Sequence, residues 1–346
     1  MKKTLFALLL VLSFVGLVPA CSEVDDDDAA ANDDDAANDD DAANDDDSGD
    51  DDDDSGDDDD SGDDDDSGDD DDATSPPWVQ VSAGGDDFSC GVRADQSPYC
   101  WGTNSNGVLD IPPGSYVQIS AGVSHACGVK TDGGVACWGL DDFGQVSNAP
   151  QVPFTSVSAG QSHSCGVTGV GIIRCWGIQD GSTTDAGQVT DVPSDSFSSV
   201  SAGYHHSCAL RADGTAACWG WDGFGQFPSE APPGSNFTQL TGSYYTTCGA
   251  TVDNEGLCWG RDNLGQASPP MLEFDQMAAG YFHGCGLRTD ATVDCWGSDS
   301  DGNTVAPPGA FTELSTKRNH VCGLTIDGRI ECWGCPTDGL GCSPPL

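Results

Sequence analysis

An all-β repeat architecture is expected from three features of the chain. Cys-Trp-Gly recurs seven times, starting at Cys100, Cys137, Cys175, Cys218, Cys258, Cys295 and Cys332, with successive tryptophans 37, 38, 43, 40, 37 and 37 residues apart. A fixed period of this size marks a solenoid, propeller or array. The chain is also rich in turn formers, with 46 glycines and 19 prolines. Between them lie short runs such as Val79-Gln80-Val81 and Ser156-Val157-Ser158, which read as strands rather than helices. Finally, another cysteine stands ten residues before each Cys-Trp-Gly, at Cys90, Cys127, Cys165, Cys208, Cys248, Cys285 and Cys322.

A hairpin explains the ten. Between Cys127 and Cys137 the midpoint is Asp132, flanked by Thr131 and Gly133. A three-residue hairpin loop is a type I turn followed by a left-handed residue, which favours Gly or Asn. Ala212-Asp213-Gly214, Ile326-Asp327-Gly328 and Val252-Asp253-Asn254 fit the same loop, and only the third repeat lacks the central Asp, having Val170. With Lys130 facing Gly134 as the closing pair, Cys127 faces Cys137 at a non-hydrogen-bonded position. There the Cα atoms stand ~4.5 Å apart, within reach of a disulfide. Each hairpin is therefore expected to carry its own staple. Of 17 cysteines, 14 fall in hairpins, Cys335 and Cys342 can close the last loop, and Cys21 is left over. Thiolate zinc sites would call for close pairs such as C-x₂-C, and only Cys332 and Cys335 have that spacing. No metal and no cofactor is expected.

The complete unit runs Val-Ser-Ala-Gly, His-x-Cys-Gly-Val, x-Asp-Gly, Cys-Trp-Gly, Phe-Gly-Gln and a Pro-rich link. Ser158-Ala159-Gly160 with His163 and Cys165, and Cys218-Trp219-Gly220 with Phe224-Gly225-Gln226, are good copies. On these residues the chain resembles the regulator of chromosome condensation repeat family, including its exported bacterial branch with paired cysteines. The resemblance covers nearly all of residues 78–346. It implies a seven-bladed β-propeller with four-stranded blades around a central channel. Some repeats depart from the unit. The fifth has Thr241-Gly242 and Thr246 where Ala-Gly and His are expected, the seventh has Ser315-Thr316-Lys317, and the first has Asn106-Gly107-Val108 in place of Gly-Gln.

Before the repeats, Lys2 and Lys3 precede an apolar run from Leu5 to Val18, then Pro19, Ala20 and Cys21. This is the pattern of a secretory signal, too short for a comfortable membrane span. Val18-Pro19-Ala20-Cys21 looks like a bacterial lipobox, which implies cleavage before Cys21 and its lipidation. The odd cysteine supports that reading. Residues 22–72 contain no Lys, Arg or aromatic residue and repeat Ala-Ala-Asn-Asp-Asp-Asp, then Asp-Asp-Asp-Asp-Ser-Gly. Such a segment cannot bury enough apolar surface to order itself, and its like charges extend it. The expected organisation is a signal peptide over 1–20, a lipidated cysteine and disordered acidic linker over 21–77, and the propeller over 78–346. An exported protein, anchored in the cell envelope through its lipid at the outer membrane or cell surface, follows.

Charge narrows the partners. Of 58 carboxylates, 31 lie in residues 22–72, leaving 27 against nine Lys and Arg in the repeats, a balance of about −18. Nucleic acid and anionic headgroups are poor partners for such a surface. Weak Ca²⁺ or Mg²⁺ association with the acidic segment fits its carboxylate oxygens without making a shaped site.

Five of the six histidines (His125, His163, His206, His283 and His320) lie two residues before a hairpin cysteine. Recurrence at one position of a repeat points to a packing or hydrogen-bonding task in each blade. His205, beside Tyr204 and His206, is the exception. The sequence contains no Gly-x-Ser-x-Gly, phosphate loop or His-Glu-x-x-His. Asp299-Ser300-Asp301-Gly302-Asn303 reads as a turn rather than a calcium loop, because its ligand series stops too early. Variation concentrates after Cys-Trp-Gly, as in Trp221-Asp222-Gly223-Phe224 and Arg261-Asp262-Asn263-Leu264, and at Tyr244-Tyr245. Trp221 and Tyr245 are the candidate anchors of a protein- or ligand-binding surface. The expected function is non-enzymatic binding. The alternative is a protein inhibitor of an enzyme, since a secreted β-lactamase inhibitor protein shares the family; an enzyme or a guanine-nucleotide exchange factor ranks below both.

Overall fold

The computed structural model describes residues 75–85, 87–227, 235–335 and 342–345. Cys21, the acidic segment and the leader lie outside the described residues.

Seven antiparallel sheets follow one another from Trp78 to Trp333, each of three consecutive strands in the order first, second, third. The second blade is typical: Tyr116–Ala121, His125–Lys130 and Val135–Gly139. The first strands of all seven blades neighbour one another in a closed ring, with Trp78–Ala83 meeting Phe311–Thr316 where the ring closes. The fold is a seven-bladed β-propeller. Among the described residues each blade has three strands, not four. After Cys-Trp-Gly the chain turns at a Gly with positive φ and enters a Pro-containing link, which removes the ladder donors a fourth strand would need.

The hairpin register is as the spacing requires. Lys130 N donates to Gly134 O at 2.8 Å, and Gly133 adopts φ +85. All seven hairpins are bridged, from Cys90–Cys100 to Cys322–Cys332, with Cα separations of 4.0–4.1 Å, and Cys335 bonds Cys342. Three loops put a side chain in the left-handed position, Gln96 at φ +69, Asn254 at φ +62 and Ala291 at φ +67. The glycine of Cys-Trp-Gly is obligatory for a different reason. It has φ +97 to +119 in blades 1 to 6, and a Cβ on Gly260 would stand 2.1 Å from Tyr245 O.

The apolar core lies at the seams between blades. In one seam Phe88, Cys90 and Val92 of blade 1 pack on Tyr116, Ile119 and Trp138 of blade 2; in another Leu324 and Ile330 of blade 7 pack on Trp78, Val81 and Trp101 of blade 1. No blade has a core of its own, so each is stable only between two neighbours.

The repeated polar residues stitch the same seams. The Ser of Val-Ser-Ala-Gly accepts a backbone N–H from the next blade: Ala121 N to Ser82, Ala159 N to Ser120, Ala202 N to Ser158, Gly242 N to Ser201 and, closing the ring, Ala83 N to Ser315, all at 2.8–3.0 Å. Gln118 donates to Val157 O and accepts from Val157 N, a two-bond clasp that Gln80 repeats on Ile119 and Gln276 on Leu314. Blade 7 has Glu313 at that place, accepting from Val81 N at 3.3 Å.

Candidate functional site

The histidines turn out to be seam bonds. His125 Nε2 lies 2.8 Å from Ser164 Oγ, His163 2.8 Å from Ser207, His206 2.9 Å from Thr247 Oγ1, His283 3.0 Å from Thr316 and His320 2.7 Å from Ser89. Each partner belongs to the following blade. The exceptions prove the pairing: Phe88 and Thr246 replace His in blades 1 and 5, and the blades after them offer Ala126 and Gly284, which have no hydroxyl. Blade 7 has Val321 there, and its departure Thr316 supplies the hydroxyl instead. Burial pushes His125 and His206 down to about 3 and His283 and His320 to about 4, so all are neutral. Neutral, paired and fully buried, they are not poised for acid–base chemistry. Among the described residues no cluster of His, Cys, Asp and Glu could hold a metal ion, and no helix is long and apolar enough to cross a membrane.

The loops after Cys-Trp-Gly share one frame. Asp141 Oδ1 accepts from Val146 N, Asp222 from Phe227 N, Asp262 from Ala267 N and Asp299 from Thr304 N. Gln145, Gln226 and Gln266 close each turn by accepting from the residue two before. Asp299-Ser300-Asp301 is thus the ordinary turn of its blade. In these four blades only the outward side chains vary.

Those side chains converge over blades 4, 5 and 6. The first-to-second-strand loops and the loops after the third strand open on the same face of the propeller. Tyr204, Tyr244 and Tyr281 occupy the same repeat position in successive blades, where blades 2 and 3 have Val123 and Gln161. Their rings follow one another at 4.3 and 4.2 Å between centroids, with Tyr281 stacked on Phe282 at 3.8 Å. Beside this row Trp221 meets Tyr245 at 5.5 Å and Phe224 at 5.2 Å, both edge-on. The structure therefore brings the two predicted anchors into one cluster. Tyr244 is buried, Trp221 and Tyr245 are half-buried and Phe224 is 46% exposed. The Arg261 guanidinium lies 5.5 to 5.9 Å from the rings of Phe224, Phe282 and Tyr245, a cation–π arrangement.

Under this face Lys317 crosses the mouth of the channel. It stands where the other blades have Gly or Ser, and its Nζ donates to Ala159 O and Ala202 O of blades 3 and 4 at 2.9 and 3.0 Å. Ser243, which also replaces that Gly, donates to Lys317 O at 3.0 Å. Burial lowers the Lys317 ammonium to about 8. Two departures from the repeat thus explain each other. The spacing alone did not reveal this tie across the ring, nor the tyrosine row. The row was readable from the alignment of Tyr204, Tyr244 and Tyr281 within the repeat; the tie needed the fold.

Comparison with known proteins agrees with this geometry. Residues 78–108, 116–145, 197–226 and 274–303 match the model of the regulator of chromosome condensation (RCC1) repeat. RCC1 repeats are thus found at four places in the propeller. Among solved structures, the CRINKLY WD40 ectodomain of the Arabidopsis thaliana receptor kinase ACR4 is 27% identical, with a TM-score of 0.63 over 78% of this chain and 99% of that one. The ectodomain of the Physcomitrella patens receptor kinase CR4 is 26% identical, with the same TM-score over 75% and 73%. Prp20p from Saccharomyces cerevisiae, 15% identical at a TM-score of 0.56 over 70% and 80%, shares the fold. No curated protein sequence matches the chain. Eight disulfides among the described residues fit an oxidising, extracellular setting.

Proposed function

We propose that this protein is a non-enzymatic binding propeller, exported and lipid-anchored through Cys21, displayed on its acidic segment, that captures a protein partner on the aromatic face over blades 4–6. One observation carries the reading: aromatic side chains absent from the equivalent positions of most other blades converge there, while the residues common to most blades are consumed by seams. Interface anchors are characteristically Trp, Tyr and Arg grouped within a polar rim. The similarity to receptor-kinase ectodomains, which present the same propeller outside the cell, supports a binding role.

The test places a photo-crosslinking residue at Phe224 on this face or at Val170, 74% exposed in a hairpin turn on the opposite one. In the cells that make the protein, a protein adduct should form from Phe224 and not from Val170. Adducts from Val170 alone would contradict the assignment. For the anchor, Cys21→Ser should abolish detergent partitioning; unchanged partitioning would contradict lipidation.

A further inference from the structure

Blade 3 differs from the others by five residues. From the Gly of Cys-Trp-Gly to the Gly of Gly-Gln the count is ten in blade 3, Gly177 to Gly187, and five in blades 2, 4 and 5. The added loop holds its own shape: Gly181 N donates to Asp185 Oδ2 at 2.9 Å, Ser182 Oγ lies 3.0 Å from Thr184 Oγ1, and Gln188 Nε2 donates to Thr184 O at 2.8 Å. It stands as a wall against the aromatic cluster. Thr183, Thr184 and Ala186 share with His205, Trp221 and Tyr245 a cavity of about 230 Å³. Three successive blades therefore contribute to one pocket, and the insertion that makes it occurs where the aromatic anchors are.

The pocket's chemistry limits what it can receive. No wall residue is charged, since burial holds His205 neutral. A cationic side chain would meet Arg261, 5.9 Å from the Tyr245 ring, and a carboxylate would find its partner at that guanidinium outside the pocket. The volume lies below the roughly 300–1,000 Å³ of whole-ligand sites and suits one side chain. Trp221 and Tyr245 meet at 66°, forming a corner rather than the flat platform that suits a sugar face. A planar ring in that corner lies on one wall and presents its edge to the other, the two arrangements aromatic rings favour. His205 Nδ1 is buried within the packing, so the pocket selects its guest by ring shape and neutrality rather than by a bond to that atom.

We propose that the corner between the blade-3 insertion and Trp221–Tyr245 is the receptor for one neutral aromatic side chain of the partner protein, for which tyrosine is the probe. This rests on the aromatic face being the partner surface. The probe is N-acetyl-tyrosinamide, followed by saturation-transfer NMR and by the methyl shifts of Thr183 and Thr184 in the full chain, with N-acetyl-lysinamide and methyl glucoside as comparisons. Tyrosinamide should shift both methyls saturably, and the comparisons should not. Tyr245→Leu, and deletion of residues 179–183, should each weaken the probe about tenfold or more, or about 1.4 kcal/mol, without lowering the melting temperature of the Tyr245 variant. A glucoside that shifts the methyls at equal or lower concentration, or a tyrosinamide that leaves them unmoved up to its solubility, overturns the proposal. The two readings fail separately. Crosslinking from Phe224 that persists but is not competed by tyrosinamide sinks the pocket alone, whereas its absence sinks the face.

Discussion

At the seam between blades 3 and 4, His163 reaches Ser207 and Ser158 receives Ala202 N; at the seam between blades 2 and 3, His125 reaches Ser164 and Ser120 receives Ala159 N. The same atoms do the same task one blade along. On the face above, Trp221 of blade 4 stands where blade 5 has Arg261 and blade 6 has Ser298. Repetition in this molecule marks what every blade needs, and its failure marks either a compensated seam or a surface built for something else. The difference can be broken experimentally at each kind of position.

The largest effect is expected at a seam bond left half made. Ser207→Ala strands the buried Nε2 of His163 and should cost about 1–3 kcal/mol of stability, measured by denaturant unfolding. Adding His163→Phe recreates the Phe88–Ala126 pairing found between blades 1 and 2, and should recover at least half of that loss. Simple additivity of two losses would show that the pairing across repeats has no energetic meaning.

Next comes pH, which separates the closing seam from the rest. Glu313 stands where blades 1, 2, 5 and 6 have Gln, and burial pushes its carboxyl up to about 7 against the pull of the Val81 N–H. Gln80 of blade 1 lines a common cavity with it, and Asp275 and Arg288 of blade 6 line the cleft beside it. Because the folded value is raised, its contribution is complete below the ordinary 4.5 and is lost as pH climbs through about 7. Glu313→Gln should therefore melt like the wild type at pH 5 and a few degrees higher at pH 8. The seam histidines act in the opposite direction. Their depressed values mean stability present above 6.5 and lost as pH falls towards 3–4, so acid should unfold the propeller well before its carboxylates alone would.

A smaller effect is expected at Ala291, which holds a left-handed conformation that glycine adopts freely. Ala291→Gly should stabilise by roughly 0.5 kcal/mol, the strain relieved less the added chain entropy. Equal or lower stability would mean that the hairpin tolerates the side chain without strain.

Much of this was legible in the sequence, for a physical reason. The ten-residue cysteine spacing encodes a loop length, a register and a face at once, so hairpins and staples follow from the sequence. The histidines were recognisable as structural because they recur, but their partners were not, since the bond runs from one repeat to the next. Trp221 and Tyr245 could be nominated because they differ from their counterparts. Their junction with the blade-3 insertion, and the reach of Lys317 to blades 3 and 4, depend on ring closure, which brings residues together without regard to spacing. Among the described residues the fourth strand implied by the family resemblance is absent, the links being built from Gly turns and prolines.

The central claim is that seams carry the fold and the aromatic face carries the binding. Its most direct test measures, on the same preparations, thermal unfolding and the yield of the Phe224-directed protein adduct for Trp221→Ala, Tyr245→Ala and His206→Leu. The two face variants should weaken capture by more than about 1 kcal/mol while melting within a degree or so of the wild type. His206→Leu, which leaves the Thr247 hydroxyl buried without its partner, should melt lower by several degrees yet capture normally at temperatures where it remains folded. A His206 variant that folds as the wild type but loses capture, with face variants that capture normally, would contradict the account.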